Sequence, residues 1–329
     1  MGKAGVKRIL ASKNITLIFV LLVVIVFFRL LNPNYLGKDN IGSILNTMSL
    51  AGTLAVGLGC LLISGQVDLS AGAVGCMGGI IAAMLMQFGL GWPLAVIFAL
   101  LYGVIAGLVT SLLCNVFSFV SFIATIAMQS VYRGAGLVIT NSQNIPVSDQ
   151  TFWAIGSSSY LGVPVPFLIM LALFLIYGFI LTYTRFGRRV YMCGGNPNAA
   201  RLAGINSKKI HTVLFVNCAA ISSLGGIILT ARMHAASPNA VFGTEFDAIT
   251  GAVLGGIAFT GGKGGMFGCF LGILLLSCFN NGMVGIGLKS YWSIVARGAL
   301  LVIALAIDYF RESSRQKALK AAKLRDAQA

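Results

Sequence analysis

Residues 93–114, "PLAVIFALLYGVIAGLVTSLLC", pass through 22 positions without one charged side chain. A helix needs about 20 apolar residues to cross the roughly 30 Å hydrocarbon core of a bilayer, so this stretch reads as a transmembrane helix. The same reading covers "ITLIFVLLVVIVFFRLL" (15–31) and "VPFLIMLALFLIYGFILTYT" (165–184). With 57% hydrophobic residues, 9% charged residues and a mean hydropathy of +0.92, the whole chain lies far from soluble domains, in which about a quarter of residues are charged.

Working outward, the pattern predicts an all-α polytopic membrane protein of about ten spans: 15–31, 41–63, 70–88, 93–114, 118–140, 165–184, 211–231, 247–260, 266–286 and 290–309. Ten spans fill most of the 329 positions, so one transmembrane domain over 1–329 is expected, with no room for a soluble catalytic domain. The first run is too long for a signal-peptide core and is followed by no small-x-small cleavage site, so it counts as a span.

The formal charge of +15 would suit nucleic acid, but its placement points to topology and to no nucleic-acid partner. Seventeen of the 23 Lys and Arg fall in four places: before the first span, in 185–209, at Lys263 and beyond Asp308. The positive-inside rule then puts residues 1–14, the 185–210 loop and the basic tail 311–329 in the cytoplasm, both termini included. The longest opposite loop, 141–164, carries Phe152, Trp153 and Tyr160, which read as interfacial anchors or as a docking surface for an external partner.

Between Asp39 and Arg133 the sole charged side chain is Asp68, in "GLGCLLISGQVDLSAG" (57–72). A carboxylate inside an apolar run is costly unless the helix breaks there. "LGCLLISG" (58–65) is echoed by "LGGIAFTG" (254–261), and "GCMGGI" (75–80) by "GCFLGI" (268–273). Two pseudo-repeated helix hairpins with glycine-broken turns are expected, and such interruptions in two halves point to a translocation pathway. Ser64, Gly65, Asp68, Ser70, Gly261 and Gly262 are the broken-helix or gating candidates. Asp68 or Ser70 is expected to cap the following helix, with pairing to Arg133 or Arg297 as the alternative. Asn46, Gln66, Gln129, Asn280 and Asn281 are the polar candidates for lining a pathway, weighed against ordinary helix-to-helix hydrogen bonds.

Catalysis and cofactors find no residues to carry them. "GGIAFTGGKGG" (255–265) has Ile257 and Gly264 where a phosphate loop needs a glycine and a hydroxyl, so no ATP site is expected. His211 and His234 stand at opposite ends of one span, and the seven cysteines have neither paired nor metal-ligand spacing. No catalytic, metal or cofactor-binding residue is assigned.

In "TRFGRRVYMCGGNPNAARLAGINSKKI" (184–210), Asn196 suits an N-cap, Pro197 a first helical turn and Gly204 a left-handed stop, which predicts one short cytoplasmic helix. Four segments together, "SGQVDLSAG", "GGNPNAARLAGI", "FDAITGAVLGGIAFTGGKG" and "FNNGMVGIGLKSYWSIVARGALLVIALAID", resemble the ribose-type permease subunits of bacterial ABC sugar importers over about residues 32–309. That resemblance implies a subunit of an importer in the bacterial inner membrane that takes up a monosaccharide of the ribose, galactose or xylose class. It further implies a second permease subunit, a separate cytoplasmic ABC ATPase and a periplasmic or lipid-anchored sugar-binding protein. It marks Gly194, Gly195, Asn196, Ala199, Ala200, Arg201 and Gly204 as the loop that couples to the ATPase. Pro197 stands where ribose permeases often carry a glutamate, so no carboxylate role follows there. A nucleoside, autoinducer or branched-chain amino-acid permease of the same superfamily is the nearest alternative, and a stand-alone secondary transporter the next.

Overall fold

The computed structural model describes residues 13–289, 291–296, 298–303, 305–306 and 309. The segment 311–329, most of 1–14, and Arg297 lie outside the described residues. The helices are α1 Lys13–Leu31, α2 Lys38–Ile63, α3 Ala71–Gln87, α4 Trp92–Asn115, α5 Ser121–Ile139, α6 Gln150–Ser157 and α7 Val165–Tyr183. They continue as α8 Arg185–Gly195, α9 Pro197–Leu202, α10 Ser207–Met233, α11 Thr244–Leu254 and α12 Met266–Gly285, followed by an apolar helix α13 over Tyr291–Ile303. Among the described residues, α2, α4, α5, α7, α10 and α12 are long and apolar enough to cross a membrane, and α1, α3 and α13 are shorter apolar helices.

The core is built on α2 and α10, whose most apolar windows are 78% and 67% buried. α3 and α4 pack on α10, and α11 and α12 on α2. In lipid such packing depends on small residues that let backbones meet. A Cβ placed on Gly226 of α10 would lie 1.7 Å from the Gly75 carbonyl of α3, so neither helix tolerates a side chain at that crossing. The outer helices present Phe98, Ile105, Ile123, Leu175 and Phe179 outward, the surface lipid would cover.

The far end of the bundle is closed by two pairs of short strands. β1 (Ile145–Pro146) pairs antiparallel with β4 (Ala235–Ala236), and β2 (Ser159–Tyr160) with β3 (Val163–Pro164). The expected 141–164 loop is therefore largely structured, and its aromatics divide. Tyr160 is exposed, but Phe152 is fully buried in α6, and Trp153 stacks on His234 at 4.2 Å while its Nε1–H donates to the Val147 carbonyl at 2.9 Å. Phe152 is thus a core residue and not an interfacial anchor, because α6 lies on the end of α10.

The segment expected to span as 247–260 is also corrected. α11 holds only 11 residues, about 16 Å at 1.5 Å per residue, which is half the hydrocarbon thickness. From β4 the chain returns into the bundle as turns over 237–243, where the Cys76 thiol donates to the carbonyls of Ser237 and Pro238 at 3.3 Å each. Non-helical backbone at this depth is tolerated because protein surrounds it. The helix begins only after Gly243, whose φ of +76° ends the irregular stretch.

Candidate functional site

At the other end of the bundle three chain segments meet: the turn after α2, the connection 184–206 and the turn between α11 and α12. Their closeness follows from glycine. Gly65, Gly261 and Gly262 adopt left-handed φ values of +80°, +84° and +72°, which side-chain-bearing residues rarely adopt. The Gly262 N–H donates to the Ile63 carbonyl at 2.8 Å. A Cβ on Gly194 would stand 2.0 Å from that carbonyl and 2.7 Å from the Gly262 nitrogen, and one on Gly262 would stand 2.4 Å from the Gly195 Cα. Backbone meets backbone with no side chain between.

The 184–206 connection holds two helices where one was expected. Thr184 caps α8 by accepting from Gly187 N–H at 3.1 Å, and Val190 and Cys193 bury one face while Arg185, Arg188 and Arg189 stay exposed. The extended Asn196 caps α9 by accepting from Ala199 N–H at 3.0 Å, with Pro197 in the first turn. Gly204 at φ +73° ends it, and Ile205 N–H returns to the Ala200 carbonyl at 3.0 Å. Ala200 is buried, whereas Ala199, Arg201 and Leu202 are exposed, Leu202 at 86%. α9 is thus a small rigid knob with an apolar tip. Tyr191 fastens α8 to the α11–α12 turn by donating to the Gly264 carbonyl at 2.8 Å, and burial holds its phenol above the ordinary value, so it remains a donor.

The turn after α2 closes on itself. Gln66 N–H donates back to the Leu61 carbonyl at 3.0 Å, and the Ser64 hydroxyl does so at 2.7 Å. Asp68 is 1% exposed; its Oδ1 accepts from the Ser70 N–H at 2.8 Å and the Ser70 hydroxyl at 2.6 Å, and its Oδ2 has no partner. Of the two expected caps, Asp68 thus bonds one free N–H at the start of α3, that of the N-cap residue Ser70, while Ser70 itself makes no side-chain capping bond. Pairing with Arg133 is not formed either. Arg133 donates to the Ala240 carbonyl at 3.0 Å and lies 5.1 Å from the Phe242 ring.

The polar pathway candidates have separate settings, and among the described residues no hydrogen bond joins any two of them. The Asn46 carbonyl accepts from Arg232 at 3.0 Å, Gln66 is half-buried beside the glycine junction, and Asn280 and Asn281 are half-buried with unpartnered Oδ1 atoms. Gln129 donates to Glu245 Oε1 at 2.6 Å. Glu245, two residues before the expected span 247–260, is fully buried in the first turn of α11. Its signal was the Pro238 and Gly243 flanking the non-helical stretch, which moves the helix start to mid-bundle.

In this multi-span bundle the broken-helix turns thus meet a capped, protruding helix. The chain belongs to the family described as branched-chain amino acid transport system / permease component, whose model matches residues 40–305. It is 35% identical over 292 residues to the ribose import permease protein RbsC of Escherichia coli K12, covering 88% of this chain and 91% of that one. It is 34% identical over 320 residues, 96% of each chain, to the probable ABC transporter permease protein YphD of the same strain. The D-allose transport system permease protein AlsC, also of that strain, is 34% identical over 295 residues, 88% of this chain and 90% of that one. No solved structure matches the chain.

Proposed function

We propose that this chain lines the translocation pathway of an ATP-driven importer for a monosaccharide, in the bacterial inner membrane, with the glycine junction facing the cytoplasm. The sugar is supported by the names of the ribose and allose permeases at 34–35% identity over most of the chain. Cytoplasmic sidedness of the junction is supported by its charge: Arg185, Arg188, Arg189, Arg201, Lys208, Lys209 and Lys263 cluster there, against Arg29, Lys38, Arg232 and Lys289 at the far end. Among the described residues, nine apolar helices and the half-helical return through 237–254 would make ten crossings, an even number that puts both termini on one side.

The observation that carries the mechanism is backbone contact at the junction. A cytoplasmic ATPase seated on α9 displaces α8 as a rigid piece, and the contacts of Gly194 and Gly195 with Ile63 and Gly262 pass that movement to the turns between α2 and α3 and between α11 and α12. No compliant side chain intervenes to absorb it. A second permease subunit completes the pathway, and a binding protein delivers the sugar at the far end. Ala200→Trp tests the handle, because Ala200 is fully buried beneath α9. Sugar uptake and co-purification of the ATPase are expected to fall together in membranes holding normal amounts of the variant; unchanged uptake overturns the assignment.

A further inference from the structure

Two cavities lie one above the other on the outer side of the junction, and they differ in chemistry. The first, of about 390 Å³, is an apolar cleft between α7 and α10, walled by Ile180, Leu181, Phe186, Val213 and Leu214. α7 and α10 both pack on α2, and Cys60 of α2 forms the back of the cleft. The polar groups nearby are spoken for: the Thr184 hydroxyl donates to the Ile180 carbonyl at 2.6 Å, and Tyr177 bonds Asn217. What the cleft presents is carbon, beside the outward-facing Phe179 and Tyr183.

The second cavity, of about 580 Å³, is a groove between α8, the 203–206 turn that follows α9 and the start of α10, carrying Arg185, Arg188, Arg189 and Lys209. It begins where the first ends. Arg185 stands in the chain between Thr184 and Phe186 of the cleft, and Ile210 of the groove is one helical turn, about 5.4 Å, before Val213 and Leu214. The spans α7 and α10 end and begin at this level, which places the groove among lipid headgroups. Four cations beside an apolar slot match one ligand chemistry: an anionic phosphate joined to a hydrocarbon chain.

We infer that an anionic phospholipid binds here, its phosphate between Arg185, Arg188, Arg189 and Lys209 and an acyl chain in the cleft between α7 and α10. The inference uses only the membrane-spanning character of these helices, so it stands or falls apart from the choice of transported sugar. A lipid in this position braces α8 against α10 and thereby stiffens the connection that bears on the junction.

The test is native mass spectrometry of the full chain in detergent mixed with phosphatidylglycerol or phosphatidylcholine of identical acyl chains, with and without millimolar inorganic phosphate. Phosphatidylglycerol is expected to be retained selectively and to resist displacement by phosphate. R185Q/R188Q/R189Q is expected to lower that retention on the order of a hundredfold, while R185K/R188K/R189K keeps it. Val213→Trp, which fills the cleft and leaves every cation in place, is expected to lower it about tenfold. Equal retention of both lipids overturns the proposal in favour of a nonspecific lipid layer, and displacement by phosphate overturns it in favour of a free-anion site. An arginine variant that keeps its lipid but loses the ATPase overturns it in favour of a protein-binding groove. Should the glutamine variant not fold, Val213→Trp alone decides the outcome.

Discussion

Gly194 and Gly195 are neighbours in sequence with opposite tolerance for a methyl group. On Gly194 the added carbon would meet the Ile63 carbonyl at 2.0 Å and must push two backbones apart; on Gly195 the nearest atom is 3.6 Å away, an ordinary contact. Gly194→Ala is expected to abolish uptake in whole cells and Gly195→Ala to preserve most of it, with immunoblots checking the amounts. A second residue-scale prediction concerns Asp149, the N-cap of α6, whose carboxylate is held below the usual range chiefly by the Thr151 hydroxyl and then by the N–H groups of Phe152 and Thr151. The folded-state value is depressed, so its contribution is present above the ordinary carboxylate value of about 3.9 and is lost as pH falls through the folded value. The thermal midpoint of Asp149→Ala should therefore lie below that of the wild type at pH 7 and converge with it in strong acid. Both residues show where sequence reading ends. That Asn196 and Gly204 would bound a helix was legible, because caps are local chemistry. That Gly194 touches Ile63 was not, because residues more than a hundred positions apart share no local signal.

Among the elements, α8 is the one whose loss of contact is easiest to isolate. Its Tyr191 hydroxyl is a single bond to the α11–α12 turn, and Asn196 is the single cap of α9. Tyr191→Phe is expected to leave ATPase binding intact while slowing uptake, since the handle remains and its fastening is weakened. Asn196→Ala removes a cap of roughly 1 kcal/mol and is expected to weaken ATPase binding itself, measured by co-purification. Most membrane helices were readable from hydropathy because lipid demands apolar length. α11 was misplaced for a physical reason: hydropathy registers burial in apolar surroundings, whether or not the buried backbone is helical, so the window centred on "AITGAVLGGIAF" (248–259) although the helix stops at Leu254. α8 was missed because three arginines in its first five residues resemble a solvated loop, while the spacing of the buried Val190 and Cys193 is visible only once the surface beneath them is known.

For the whole molecule, the sidedness proposed from charge makes a direct prediction. A cysteine introduced at the exposed Asn198 of α9 should react with a membrane-impermeant maleimide only in inverted vesicles, and one at Ser157 of α6 only in intact cells with a permeabilised outer layer. The reverse pattern sinks the topology. The glycine junction also has a consequence in time. Ile63 leaves the ribosome about 200 residues before Gly262, which at 5–20 residues per second is a wait on the order of 10–40 s. Through that interval α2 gains α3, α7 and α10 as neighbours, but the turn that follows it still lacks its bond from Gly262 and its contacts with α11 and α12. The last helices to be synthesised are thus the ones that lock the second, so premature termination anywhere before residue 262 leaves a chain that has inserted but cannot set its own mechanism, a ready substrate for membrane quality-control proteases.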